Sequence, residues 1–319
     1  MAVPTNTYQT FQTVGIKEEL SDAIYNIAPT ETPFTSMIAK GKVKNTYFEH
    51  QIDTLAAANA DNATVEGDDA TTDAAVATTR VGNYVQLMDK VVRVASTNQA
   101  VDSAGRKNEM AYQVSKRGKE LKRDIESMCL SNNASVAGNA STARKSAGVG
   151  AWLETNTSHG ATGSAGGFLG GIVAAPTDGT NRTLTETLFK DAISDAWDGG
   201  GDPSKVIVNS ALKKEISTFS GIATQYRENS GVKQGTILGA ADVYVSDFGE
   251  VSVIADRFMP AEQVYILDPE YWSLEHLQPM KTVDLAKTGH SDRKMLSCEL
   301  GLRSKNEAAN AAIYDVVPA

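Results

Sequence analysis

Four histidines, His50, His159, His276 and His290, are the first places to look for metal binding or acid–base chemistry. None stands at a ligand spacing such as HxxxH, so they do not suggest a metal centre. His290-Ser291-Asp292 contains the three residue types of a hydrolytic triad, but triad members converge from separate parts of a chain, and adjacency argues against one here. The run GATGSAGGFLGG at 160–171 superficially suggests a phosphate loop. It lacks the Lys-Ser/Thr that a P-loop needs and reads as a flexible loop. Glu66, Asp68, Asp69 and Asp73 carry enough charge for Ca2+, yet they miss the EF-hand spacing and form a solvated or partner-facing acidic tip. No catalytic, cofactor-binding or metal-binding residue is assigned, and the chain is read as not an enzyme.

The elements that would position such residues have to come from 319 residues, enough for two modest cores or one elaborated one. With 41% hydrophobic and 22% charged residues, wholesale disorder is excluded. No run approaches the roughly 18 apolar residues of a membrane span, and MAVPTNTYQTFQTV lacks the layout of a secretion signal, so synthesis in a cytoplasm without export is expected. In that setting the Asn-x-Ser/Thr triplets at Asn62, Asn133, Asn139, Asn156 and Asn181 follow from composition alone. Cys129 and Cys298 are too few for a disulfide framework and read as reduced thiols. A formal charge of -9 opposes broad attraction to nucleic acid or anionic lipid.

The first forty residues look like an arm, with a short amphipathic helix near residues 15–26 and Phe11, Phe34, Met37 and Ile38 left without local cover. Residues 43–55 and 81–95 read as two strands joined by a polar, acidic segment, which makes a long projecting hairpin that must lean on something else. Residues 103–130 form the strongest helix, carrying the stripe Ala111, Val114, Gly118, Leu121, Ile125, Met128 and spanning about 40 Å. Its basic residues are interleaved with acids and have no stacking aromatic beyond Tyr112, so a solvated face, or one paired with an acidic neighbour, is expected.

After a loose Gly/Ser/Thr-rich passage at 131–182 comes an α/β unit. Thr183 and Glu186 fit a capping box, KVIVN at 205–209 is a buried-strand pattern, and Ser210 is a candidate cap for the next helix. Strands dominate from residue 231, with a hairpin turning at Asp247-Phe248-Gly249.

The runs GIKEELSDAIYNIAPTETPFTSMI (15–38), KNTYFEHQIDTLA (44–56), AGRKNEMAYQVSKRGKELKRDIE (104–126), VYILDPEYWSL (264–274) and LAKTGHSDRKMLSCELGLRSKNEAANAAIYDV (285–316) resemble those of tailed-bacteriophage major capsid proteins of the Hong Kong 97 type. The resemblance covers essentially the whole chain. It implies an α+β fold with an N-terminal arm (1–42), an extended β-hairpin loop (43–95), a peripheral domain with the spine helix and Gly-rich passage (96–183), an axial domain (184–275) and a return to the peripheral domain (276–319). GVGAWLETN at 148–156 would be a short strand leading into the axial domain.

The resemblance also implies a phage-head subunit that self-assembles into hexamers and pentamers of an icosahedral or prolate shell around double-stranded DNA, bound without sequence specificity. The other partners it implies are a portal protein and, where used, scaffolding and decoration or cement proteins, with no membrane. The location would be the virion, after assembly in the bacterial host cytoplasm. Phe11, Tyr25, Phe34, Glu66, Asp68 and Asp69 are the expected intersubunit contacts. The alternatives are an encapsulin-like nanocompartment shell and, less in keeping with the pattern, a soluble α/β hydrolase or binding protein.

Overall fold

The computed structural model describes residues 31–69, 74–101, 108–219 and 243–319. The expected arm helix at 15–26, with Phe11 and Tyr25, lies outside them. The described chain opens with α1 (Pro33–Met37) and β1 (Ala39–Lys42), followed by the hairpin strands β2 (Tyr47–Ile52) and β3 (Thr79–Tyr84). Next come β4 (Gln86–Ala95), α2 (Ser96–Ala100) and the long α3 (Glu109–Leu130).

The 81–95 stretch is not one strand. Val85 is fully buried at a break between β3, which pairs with β2, and β4, which pairs with a different sheet. A continuous run of β-formers hides such a change of partner, because both halves satisfy the same local preference.

Helix α3 is capped by Asn108, whose side chain accepts from the Ala111 N–H at 3.0 Å. Its 22 described residues span about 33 Å. The predicted stripe is buried in the C-terminal half, at Leu121, Ile125 and Met128, whereas Ala111 is exposed.

The passage after α3 is more ordered than its composition suggests. GVGAWL contributes a helical turn, α4 (Val149–Trp152), in place of the expected strand, and Val149, Trp152 and Leu153 are core residues. The strand β5 (Thr157–Ser158) follows, and the Gly-rich run forms a small hairpin, β6 (Gly167–Leu169) and β7 (Ile172–Ala174). Its turn residues, Gly170 and Gly171, both have positive φ, which explains two glycines there.

Beyond β8 (Arg182–Thr183) lies the α/β unit of α5 (Glu186–Asp198), β9 (Lys205–Val208) and α6 (Ser210–Ile216). Each cap sits beside the expected residue. Thr185, not Thr183, accepts from Leu188 N–H, and Asn209, not Ser210, accepts from Leu212 N–H. The chain ends with β10 (Val243–Ser246), β11 (Gly249–Ala255), β12 (Val264–Leu267), β13 (Trp272–Leu285), β14 (Ser291–Ser304), β15 (Ala311–Ile313) and β16 (Val316–Val317).

Two sheets organise these pieces. One has the order β1-β13-β14-β4 and packs against α3 and α4 around Leu121, Ile125, Trp152, Trp272 and Leu300. The other has the order β10-β11-β9-β12-β15-β5 and packs against α5 and α6 around Phe189, Ile193, Leu212 and Val253. β15 therefore belongs to the six-stranded sheet, and β16 pairs with β8, so residues 311–317 do not return to the four-stranded one. Cys129 and Cys298 are free and buried.

Candidate assembly surfaces

The β2–β3 hairpin is fastened to the body at its base. Its register runs from Tyr47 opposite Tyr84 to Ile52 opposite Thr79. Asn83, fully buried, donates to Ser146 Oγ at 3.1 Å and to the Leu302 carbonyl at 2.7 Å, and its Oδ1 accepts from Ala147 N–H at 3.0 Å. One amide thus ties the hairpin, the 146–147 segment and β14 together, and its burial costs little because its polar atoms are bonded.

Phe48 is buried under the Arg303 guanidinium, 5.3 Å from the ring centroid, and Arg303 Nε lies 3.3 Å from the buried carboxylate of Glu275. Gly301 is needed for this close approach: a Cβ there would lie 2.8 Å from both the Phe48 ring and the Tyr84 carbonyl. The His50 ring contacts the Lys305 carbonyl through Nε2 at 3.2 Å, and burial moves its pKa down. Burial moves the Tyr47 hydroxyl up, with Glu49 adding to the shift.

Past Ile52 the support ends. Residues 53–69 and 74–78 are all exposed, including the apolar Leu55, Val65 and Val76 at 99%, 75% and 80%. Glu66, Asp68 and Asp69 sit on this projection, whereas Asp73 lies outside the described residues. The spine-like helix α3 presents the opposite charge. Lys116, Lys119 and Lys122 are exposed and have no ion pair among the described residues, although Arg117 pairs with Glu120 and Lys90 with Asp124.

Phe34 does not belong to these surfaces. It is fully buried in its own chain, edge-on to Trp272 with ring centroids 6.3 Å apart, and this corrects its assignment as an intersubunit contact. Its cover comes from residues more than 90 positions away, which local sequence cannot display. Asn83, Arg303 and Glu275 were also missed. Only Asn83 left a trace, as an amide set among β-formers.

The sequence candidates for chemistry are occupied otherwise. Ser291 Oγ accepts from Arg93 Nε at 2.8 Å, Asp292 pairs with Lys287 at 2.5 Å, and His290 is exposed, so the three neighbours do not form a relay. Among the described residues no three His, Cys, Asp or Glu side chains converge as a metal site would require.

Comparison with known proteins agrees with an architecture of limbs on a body. The chain is 29% identical, over an alignment covering 98% of both proteins, to the major capsid protein of Escherichia phage Phieco32. Its fold is similar to the capsid subunit of cyanophage A-1(L), with a TM-score of 0.63 at 13% identity over 97% of this chain and 98% of that one. It is also similar to the SrpI encapsulin of Synechococcus elongatus PCC 7942, with a TM-score of 0.53 at 11% identity over 92% of each. The fold is thus that of Hong Kong 97 type capsid subunits. The model of the SU10 major capsid protein family matches residues 3–317, and the chain belongs to that family as a structural subunit of a phage head.

Proposed function

We propose that this subunit closes its shell by laying the acidic projection at residues 53–78 on the lysine face of α3 in a neighbouring copy. The carrying observation is the pair of complementary surfaces within one chain. Glu66, Asp68 and Asp69 stand exposed on an unsupported limb, and Lys116, Lys119 and Lys122 stand exposed on a helix. Every copy would then give and receive the same contact, which supports hexamers and pentamers of the chain. The apolar Leu55, Val65 and Val76 would be covered by the same event.

In this reading residues 1–42 act as the arm, with Phe11 and Tyr25 as further intersubunit contacts, and 43–95 as the extended loop. The four-stranded sheet with α3 is the peripheral part and the six-stranded sheet the axial part. The role is structural and non-catalytic. The portal, any scaffolding or decoration proteins and packaged double-stranded DNA are its partners, with assembly in the host cytoplasm and residence in the virion. A net charge of -9 suits an inner wall along which DNA phosphates slide without being held.

Charge exchange tests the contact. Reversal of the three acids (Glu66→Lys, Asp68→Lys, Asp69→Lys) should leave a folded subunit that forms no shells by electron microscopy. Adding Lys116→Glu, Lys119→Glu and Lys122→Glu should restore them. Normal shells from the first variant, or no rescue by the second, would count against the pairing.

A further inference from the structure

Helix α1 starts without help from its own cap residue. Pro33 occupies the first turn and the Thr32 side chain makes no capping bond. The free amides of the first turn are bound from another part of the chain: Phe34 and Thr35 N–H donate to the two oxygens of Glu126 at 2.6 and 2.9 Å. Glu126 lies on α3 and is fully buried.

Opposite it, within hydrogen-bonding reach, is Asp256, which follows β11 and is 2% exposed. Asp256 Oδ1 accepts from Phe258 N–H at 2.8 Å, but its buried Oδ2 has no donor among the described residues. Two carboxylates side by side in a buried site repel each other unless one carries a proton, and such a proton would offer a donor to the unpartnered Oδ2.

No neighbouring charge removes the need for it. Arg123 and the Cys129 thiol come from α3, Arg257 from the turn after β11 and Glu31 from the chain before α1, while α1 has no titratable side chain. Among the described residues no ion pair reaches Glu126 or Asp256, and Arg123, whose buried Nε has no hydrogen-bond partner among them, lies over the Phe258 ring, 5.4 Å from its centroid. A cavity of about 480 Å³ lined by Glu31, Pro33, Asn209, Ser210, Asp256 and Arg257 lies on the Asp256 side of the pair and does not reach Glu126.

We propose that Glu126 and Asp256 share a single proton and act as a latch that fastens the root of the N-terminal arm to α3 and to the end of β11. Loss of the proton leaves two negative charges in one buried junction, and α1 loosens. Burial pushes the Glu126 carboxyl up to about 7, with Asp256 adding to the rise. A carboxyl raised in the folded state stabilises fully below its ordinary value of 4.5 and loses that contribution as pH climbs through about 7.

Hydrogen exchange on the full-length chain at pH 5 and pH 8, corrected for intrinsic rates, reads the latch directly. Protection of Phe34 and Thr35 should fall about tenfold or more between the two, as a displacement above one pKa unit requires, while β12 stays protected. Glu126→Gln never ionises, and although its single amide oxygen can accept from only one of the two N–H groups, whatever protection α1 keeps should be the same at both pH values. Equal protection of α1 at both pH values in the wild type, or an unchanged pH response in Glu126→Gln, overturns the proposal. Infrared spectra of the wild type give a reading independent of any variant. A protonated-carboxyl band present at pH 6 and gone by pH 8 supports the shared proton, and its absence at pH 6 overturns it.

Discussion

At its base the β2–β3 hairpin is gripped by Asn83, Phe48 and His50, which reach residues 146–147 and 301–305, whereas from residue 53 to residue 78 the described limb is exposed throughout. The two ends obey different demands. Burial at the base requires every polar atom to be matched inside the chain, so its residue types are tightly constrained. Exposure at the tip leaves charge as the main property, and charge has meaning there only against a second surface.

This contrast is sharpest at Asn83. Asn83→Ala removes three partners from a dry site and should destabilise the unassembled subunit by about 3 kcal/mol in chemical denaturation. Arg303→Gln, which deprives buried Glu275 of its cation and Phe48 of its cover, should cost about 2 kcal/mol, less than a fully buried pair because Arg303 is itself 25% exposed. Gly301→Ala should cost about 1–2 kcal/mol by forcing the Phe48 ring and Tyr84 carbonyl back.

The pH response of the base is opposite in sign to that of α1. The His50 pKa is lowered in the fold, so its contribution is present above about 6.5 and declines as pH falls through the depressed value. NMR titration of the His50 ring checks this, and a midpoint at or above 6.5 would break it. At the tip, the triple acid-to-lysine variant should change subunit stability by less than about 0.5 kcal/mol. A large loss there would erase the distinction between the two ends.

Much of the architecture could be read from residue order because periodicity reports local burial. The Leu121-Ile125-Met128 stripe, the 186–216 α/β unit and the turn at Asp247-Phe248-Gly249 are all present. What stayed hidden was set by distant partners. The break at Val85 depends on β14, the burial of Phe34 on Trp272 and Glu126, and the helical turn at Val149–Trp152 on a core assembled from α3, β6 and β7. Caps were misplaced by a residue or two because Thr183, Thr185, Asn209 and Ser210 all have competent side chains, and only the backbone geometry selects among them. Glu66, Asp68 and Asp69 could be picked out as a tip because an acid-rich segment without apolar periodicity has nothing to fold onto.

The parallel pairing of β1 with β13 sets a schedule for the chain during its synthesis. Ala39–Lys42 finds its strand partner about 230 residues downstream. At typical translation rates the arm root waits about ten to fifty seconds after emerging before that partner exists. Docking of α1 beside Trp272 is subject to the same delay. A nascent copy therefore cannot complete its arm root until residues 273–276 have been made and have left the ribosome.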